Sequence, residues 1–566
     1  MLQSKTSFCH VNNLQAQLRP YFDLPKDAPT LVLTKTQYEL KDIAGGQYYH
    51  FGIEEGIIGR LDRNKNLHAL EKLEIQFNID GLPLFKSSSD TFWPILGSLN
   101  EDKPRTPFVI GLWVGTSKPN DANQFLRQFV DEMKNIEFDG INYGNRKIDV
   151  KIANIVCDTP DRAFVKKIKG HTGYFGCDNC EVRGVYENRR MTFPETDAVL
   201  RMDVRFDEMQ NAEHHHGETC LKELNMGLVS NFPLDYMHLI CLGLVKKIIL
   251  LWKSGPLNVR IGPNAMRVIS NFILKVGKHI PREFCRKGRS LVDIDRWKAT
   301  ECRTFLLYTG PVVLKGNISD VLYDSFMMLS VGVYILSSKE LCNDYCHYTE
   351  DLFKRFINHF GATYGADQII YNVQSLSHLP SHVRRFGVLD NFSSFPYENY
   401  LQTIKSLIRK PNFPLPQVIR RLTEQSQIVK QCKKIIVKQC KDHSTVTKKR
   451  HRHGPVPRNM TNCSQFEEIH LKDLFLSTKA GDNAIIANNC TYVIKNIITC
   501  NYHRYLVCQK FTSRASFFNY PLNSELINIA LVDGLERDLV CLKPSDVSKA
   551  VLLPYKDKFV SIPMIK

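Results

Sequence analysis

A long uninterrupted apolar run is missing from this chain of 566 residues. The greasiest stretches are HLICLGLVKKIILLW, broken by Lys246 and Lys247, and FMMLSVGVYIL, well short of the ~20 residues a membrane helix requires. The opening MLQSKTSFCHVNNLQ lacks the apolar core of a secretory signal. These absences argue against membrane and secreted classes, and the expectation is a soluble intracellular protein. A dense cysteine framework is missing too. Seventeen cysteines, an odd number spread along the chain, suit a reducing compartment with some thiols on metal better than a disulfide scaffold. Acidic residues are in deficit: 58 Asp and Glu face 75 Lys and Arg, leaving a formal net charge of +17. That surplus points to a polyanionic partner, most simply nucleic acid, and carries no information about fold. No internal repeat is visible.

What is present is ample core material, with 43% hydrophobic residues, and a length that predicts about three to five structural units at ~100–200 residues each. LEIQFNID (73–80) alternates strictly, with Leu73, Ile75, Phe77 and Ile79 apolar, which predicts a strand carrying Asp80 at the end of its polar face. PFVIGLWVG (107–115) reads as a buried strand. In 121–135, Phe125, Phe129 and Met133 line one side of an amphipathic helix, flanked by Leu126 and Val130. KIDVKIANIVCD (147–158) is a further strand, and TPDRAFVKKIKG a helix with Thr159 as cap and Pro160 in its first turn. Asp80 and Asp158 both end strands; if those strands are neighbours, the two carboxylates converge at one sheet edge. From 186 to 365 the character is helical, and 465–566 returns to short β-rich runs such as TYVIKNIITC. Between them, Lys430–Arg458 holds ten Lys or Arg against the single acid Asp442. This reads as a solvated linker that also serves as a phosphate-contacting arm or nuclear localisation signal, through Lys433, Lys434, Lys448, Lys449, Arg450 and Arg452.

Taken singly, these motifs are weak. An Asp-Gly after a strand is most often a turn, and an Asp closing a strand is commonly a helix cap. Cys177-x-x-Cys180 supplies half of a tetrahedral site. His378 and His382, spaced i,i+4 in SLSHLPSHV, share a face only if that segment is helical.

Five ordered blocks carry more weight together: FNIDGLPLFKSSSDTFWPILGSL (77–99), CDTPDRAFVKKIKGHTGYFGCDNC (157–180), PLDYMHLICLGLVKK (233–247), WKATECRTFLLYTGPVVL (297–314) and HLPSHVRRFGVLDNFSSFPYENYLQTIKSLIR (378–409). In this order they resemble the CACTA (En/Spm-like) cut-and-paste transposases, animal branch, from about residue 71 to 425 and onward into the C-terminal β-region. The architecture is also similar to the recombination-activating recombinase and its Transib-group transposon relatives. The resemblance implies an α/β fold: an RNase H-like core interrupted by a large helical insertion and followed by a small β-rich domain. It implies a DDE triad of Asp80, Asp158 and Glu398, the last in Phe395-Pro396-Tyr397-Glu398, with Glu301 of WKATE as the rival third carboxylate. It further implies two Mg²⁺ (or Mn²⁺) ions on that triad, a structural Zn²⁺ on Cys177, Cys180, His378 and His382, and an insertion motif at Asp235 and His238. Alternative zinc partners for the cysteines are His171 or His214–His216, although the latter read as a solvated loop. Asp90 and Asp161 read as surface or capping residues. Where the family often has Ala after CDTP, this chain has Asp161.

Hard carboxylate oxygens suit Mg²⁺, and two ions ~3.5–4 Å apart can activate the attacking oxygen and stabilise the leaving one in phosphoryl displacement. The expected division is 1–70 N-terminal region, 71–185 first part of the core, 186–365 insertion, 366–429 last part of the core, 430–464 basic linker and 465–566 β-domain. The expected partners are double-stranded DNA, as transposon terminal repeats and target, and a second copy of the chain in a dimer or larger assembly, in the nucleus and away from membranes. About 70 residues precede the first predicted strand, so end recognition is expected from the insertion, the basic segment or a partner. A truncated or domesticated, non-cutting DNA-binding protein is the alternative.

Overall fold

A computed structural model describes residues 8–31, 37–85, 88–436, 445–458, 460, 462–471 and 474–565. The fold is mixed α/β with a β-rich C-terminal region. It divides into two compact units. The first comprises Met1–Glu181, Val199–Asp235 and Phe392–Cys440; the second comprises Val182–Ala198, Tyr236–Asn391 and Lys441–Lys566.

The first unit is built on one sheet. After short helices α1 (Phe8–Leu18) and α2 (Ala28–Leu31) come strands β1 (Lys41–Ile43) and β2 (Gly46–His50) and helix α3 (Ile53–Leu61). The strands β3 (Lys72–Ile79), β4 (Leu82–Pro83), β5 (Thr91–Leu99) and β6 (Phe108–Gly115) follow, then helix α4 (Ala122–Asp139), strands β7 (Ile141–Tyr143) and β8 (Arg146–Val156), and helix α5 (Thr159–Lys166). The strand order is β1-β2-β6-β5-β3-β8-β7, with β4 on β5. β3, β5 and β6 form an antiparallel meander, and β8 returns parallel to β3. The expected strands at 73–80, 107–115 and 147–158 and the helix at 121–135 are all present.

The short N-terminal region expected at 1–70 contributes the strands β1 and β2 to this sheet. Lys41–His50 closes a hairpin over Ala44 and Gly45, both at positive φ (50° and 79°), a two-residue turn that matches strand twist. β2 then pairs with β6. α4 covers one face, capped by Asp121, whose side chain accepts from Gln124 N. Phe125, Phe129 and Met133 are fully buried there against β3 residues such as Ile75 and Phe77. The opposite face is covered by the helix Phe395–Ser406, whose Tyr397, Leu401 and Ile404 pack with Leu82, Leu96 and Leu112. The polar row of β3 is therefore buried as well as the apolar one, with Gln76 and Asn78 at 0% and 1% exposure.

The second unit contains the helices Lys246–Ser254, Pro263–Val276, Asp320–Ser337 and Lys339–Tyr364 and a ten-stranded sheet formed after residue 445. Asp320–Ser337 is the one helix among the described residues long and apolar enough to cross a membrane, and it is 83% buried inside the protein. Lys549, at 1% side-chain exposure, ties the sheet to the helical part: its Nζ meets Glu283 at 2.6 Å, Asp482 at 2.7 Å and the Phe475 carbonyl at 2.8 Å. Among its described residues, the expected basic linker 430–464 contains two regular elements. The helix Pro414–Ile436 runs into its first part, and Val446–His451 is a strand paired with Ser464–Leu471. Lys448 faces Glu468 across that pair and Lys449 forms an ion pair with it, so opposite cross-strand charges hold the basic run in the sheet. Lys433 and Lys434 have side chains outside the described residues.

Candidate metal centre

Parity and register bring Asp80 and Asp158 together. Gln76, Asn78 and Asp80 share one face of β3, the face covered by Phe395–Ser406. A bulge in β8, between the partners of Ile75 and Gln76, shifts the pairing so that Asn78 lies opposite Val156. Two residues further on, the same register sets Asp80 opposite Asp158. Carboxylate oxygens of Asp80, Asp158 and Asp161 lie within 4.8 Å of one another, and Asp80 and Glu398 approach within the same distance. Asp80 is thus common to both groupings. The donors that the first unit itself contributes are carboxylate oxygens, which fits a hard divalent cation such as Mg²⁺.

Local structure explains each placement. Asp158, rather than the expected Thr159, is the N-cap of α5: its Oδ1 accepts from Asp161 N at 2.8 Å, Pro160 follows in the first turn, and a second oxygen remains for a ligand. Asp161 is no surface residue. It is 8% exposed, and its Oδ2 accepts from Gly81 N at 3.1 Å, linking the start of α5 to the turn after β3. Both aspartates sit in the first turn of α5, at the positive end of its dipole. Asp90, by contrast, is a turn residue as expected, accepting from Ser88 Oγ.

Glu398 reaches the cluster because its neighbour is anchored. The Tyr397 hydroxyl, fully buried, bonds Ser98 Oγ at 2.7 Å and Gln76 Oε1 at 3.0 Å, pinning the helix to β5 and β3. Burial drives the Tyr397 phenol far above its ordinary pKa, so it remains a donor. Gln76 also accepts from Arg105 at 2.8 Å. One turn earlier, buried Asp235 accepts from Ser394 N at 2.8 Å, fastening the segment that leads into this helix. His238 belongs to the second unit, in the π-helical stretch Met237–Val245.

α5 is braced on its far side by a buried ion network. Asp178, inside the Cys177–Cys180 turn, meets Arg162 Nε at 2.7 Å and Lys166 Nζ at 3.5 Å. Arg162 also donates to the Pro233 carbonyl at 3.2 Å, and Arg201 to the Cys177 carbonyl at 2.9 Å. Desolvation lowers the Lys166 ammonium to about 8. The Cys177 and Cys180 sulfurs are 3.5 Å apart, buried, and form no disulfide. Among the described residues, no group of three or more close metal donors joins them to His171 or His214–His216. His378 and His382 lie in the second unit, both buried, one turn apart across the start of the helix Leu379–Phe386. Gln374 meets His378 Nε2 at 3.2 Å.

Two further expectations are corrected. His214 is not in a solvated loop: it is fully buried, its Nδ1 bonds the Phe175 carbonyl at 2.7 Å, and desolvation lowers its pKa to about 3. Glu301, the rival third carboxylate, lies in the second unit, where Arg289 grips both its oxygens at 2.6 Å and Lys298 N donates at 2.9 Å. It is matched and capped in place, in a different unit from the aspartates.

Sequence reasoning missed Asp161 and Tyr397. The spacing of Asp158 and Asp161, i and i+3 across a first helical turn, carries the signal for the former. Tyr397 is visible only once the helix is docked on the sheet.

Residues 450–564 match a domain family of unknown function, DUF8592. This region forms the C-terminal sheet and contains none of the clustered carboxylates. No curated protein matches the chain.

Proposed function

We propose that this chain is a DDE-type DNA strand-cleaving and strand-transfer enzyme, a transposase of the CACTA kind, with its first unit as an RNase H-like core. The observation that supports the reading is that Asp80 lies within 4.8 Å of both Asp158, at the end of the parallel-paired strand, and Glu398, on the anchored helix. An antiparallel meander followed by a strand parallel to its first member, with the last carboxylate on a helix after a long insertion, supports the fold assignment.

Bound Mg²⁺ ions would supply electrophilic activation of the scissile phosphate and of the attacking oxygen. The residues of the chain hold and orient. Asp80, Asp158 and Glu398 would hold the ions, and Asp161 holds the Gly81 backbone beside Asp80. In cleavage a water oxygen bonds to phosphorus as the bond to the leaving 3′-oxygen breaks, releasing a 3′-hydroxyl. In transfer that hydroxyl is the nucleophile toward target DNA. We assign the zinc role to Cys177, Cys180, His378 and His382 on ligand chemistry, two adjacent thiols and two imidazoles one turn apart. Double-stranded DNA ends, a self-associated assembly and a nuclear location follow from the same reading and from the +17 charge.

The test incubates the purified full chain with terminal-repeat DNA of its own element and Mg²⁺, beside Asp158→Ala. Nicking by the wild type alone is expected. Absence of nicking by the wild type removes the enzyme reading in favour of a non-cutting DNA-binding protein.

A further inference from the structure

Beside the acidic cluster the first unit carries a cleft of about 550 Å³ to which the proposed chemistry gives no role. One wall comes from the segment between β6 and α4, with Lys118 and Asn120. The other comes from α5 and the turn beyond it, with Phe164, Lys167 and His171, and His216 closes one side. These walls are held by backbone. Lys167 ends α5 in the left-handed region (φ 53°), and its carbonyl accepts from His216 N at 2.7 Å. Lys169, next in line, reaches His216 Nδ1 at 3.5 Å.

The charge of the cleft is opposite to that of the cluster. The sole acidic residue lining it is Asp121, and that carboxylate is engaged as the α4 cap at 2.8 Å from Gln124 N. Lys118 places its ammonium 5.2 Å from the Phe164 ring centroid, so a cation and a half-exposed aromatic face stand side by side. Phe164 is braced edge-on by Trp93, with centroids 5.3 Å apart. Pro160 and His171 bring the cleft to the start of α5, and His171 lies within the electrostatic reach of Asp158.

A volume in the ~300–1,000 Å³ range of small-ligand sites takes a nucleotide or two of one strand, not a duplex. Cations for phosphates beside an aromatic platform for a base are the parts of a single-strand groove. We propose that this cleft binds a single strand of nucleic acid adjoining the phosphate under attack, with backbone phosphates at Lys118 and Lys167 and a base on Phe164. The inference rests on the phosphodiester reading of the carboxylate cluster and names a substrate-binding subsite for it.

The experiment measures binding of a short fluorescent single-stranded DNA to the full chain without divalent metal, by anisotropy across a salt series. The wild type is compared with Lys118→Gln, Lys167→Gln and the double variant. The double variant is expected to bind about tenfold more weakly. Its log-affinity against log-salt slope should flatten by about 1.4, two phosphates at ~0.7 each. Blunt duplex should be affected less. Unchanged affinity and slope overturn the proposal, as does displacement of the strand by low concentrations of inorganic phosphate, which makes the cleft a free-phosphate site. If the double variant melts early, Lys118→Gln alone, on an exposed segment, carries the same test with half the slope change. Cleavage by the wild type with normal strand binding in the lysine variants leaves the enzyme reading and removes this one. Weakened binding in those variants without any wild-type cleavage does the reverse.

Discussion

Both units match buried ions in pairs, as Asp178 with Arg162 and Lys166 in the first, but the first also gathers like charges in one place. In the second, each buried ion has a counterion: Glu301 is gripped by Arg289, and Lys549 sits between Glu283 and Asp482. In the first, Asp80, Asp158 and Asp161 are gathered within 4.8 Å of one another, and Glu398 approaches Asp80 within the same distance. Matched pairs hold a fold in register, and breaking one leaves a stranded charge. Gathered like charges oppose the fold and raise its demand for a cation. Only the second kind of arrangement needs a ligand to explain it. Glu398 lies in the unit that holds Asp80 and Asp158, whereas Glu301 lies in the other and is gripped by Arg289.

The largest expected effect tests the gathered side. Asp80→Asn should lower Mg²⁺-dependent nicking by about 10³-fold or more. In metal-free buffer it should leave the melting temperature unchanged or raised, because one of the like charges is gone. A loss of several degrees in Asp80→Asn would place Asp80 among the matched, structural ions and break the comparison.

Next in size is the matched side. Lys549→Met strands Glu283 and Asp482, a change that for fully buried pairs costs about 3–5 kcal/mol. Glu283 retains 27% side-chain exposure, so about 2–4 kcal/mol is expected here, read from the denaturation midpoint. Nicking measured well below the transition should be unaffected. A selective loss of nicking with unchanged stability would count against a structural role.

Tyr397→Phe sits between the two classes. It removes the hydroxyl bonded to Ser98 and Gln76, at about 1–2 kcal/mol of stability, and loosens the helix that carries Glu398. Its kcat should fall several-fold with KM little changed. Equal changes in both would mean that the hydroxyl serves substrate binding instead.

How much of this was legible in the sequence depends on which force fixed each element. The strict alternation of 73–80 and the apolar stripe of Phe125, Phe129 and Met133 are local patterns, and both elements form where expected. The convergence of Asp80 with Asp158 followed from two strand ends, but the β8 bulge that sets their register has no clear sequence mark. Burial of Gln76 and Asn78 was illegible because alternation alone assigns the polar row to solvent. Their partners, Tyr397 and the Val156 carbonyl, lie far along the chain. The basic run was misread for a related reason: net charge points to a solvated linker, whereas Glu468 on the neighbouring strand supplies the cross-strand match. His214 was misread from its polar neighbours, since its burial is set by Phe206 and the Phe175 carbonyl.

The smallest effect, and the last way to sharpen the contrast, is acid lability. His214 holds its imidazole neutral, with a folded pKa of about 3 against an ordinary value near 6.5, because burial and the nearby Arg201 and Lys166 disfavour the cation. Above pH ~6.5 the imidazole is neutral folded and unfolded, so it adds no pH dependence. As pH falls from there toward about 3, the unfolded chain takes up a proton that the folded one refuses, and stability declines by up to ~1.36 kcal/mol per pH unit. In the second unit, the pairing with Arg289 holds the Glu301 carboxyl below its usual range, so its contribution is lost only as pH falls through carboxylate values. Between pH 6.5 and 5 the first unit should therefore weaken through His214. His214→Gln, which keeps a donor for Phe175 but cannot titrate, should flatten that decline by about one proton in hydrogen-exchange stability of the first unit. An undiminished decline in the variant would assign the acid lability of the first unit to another group.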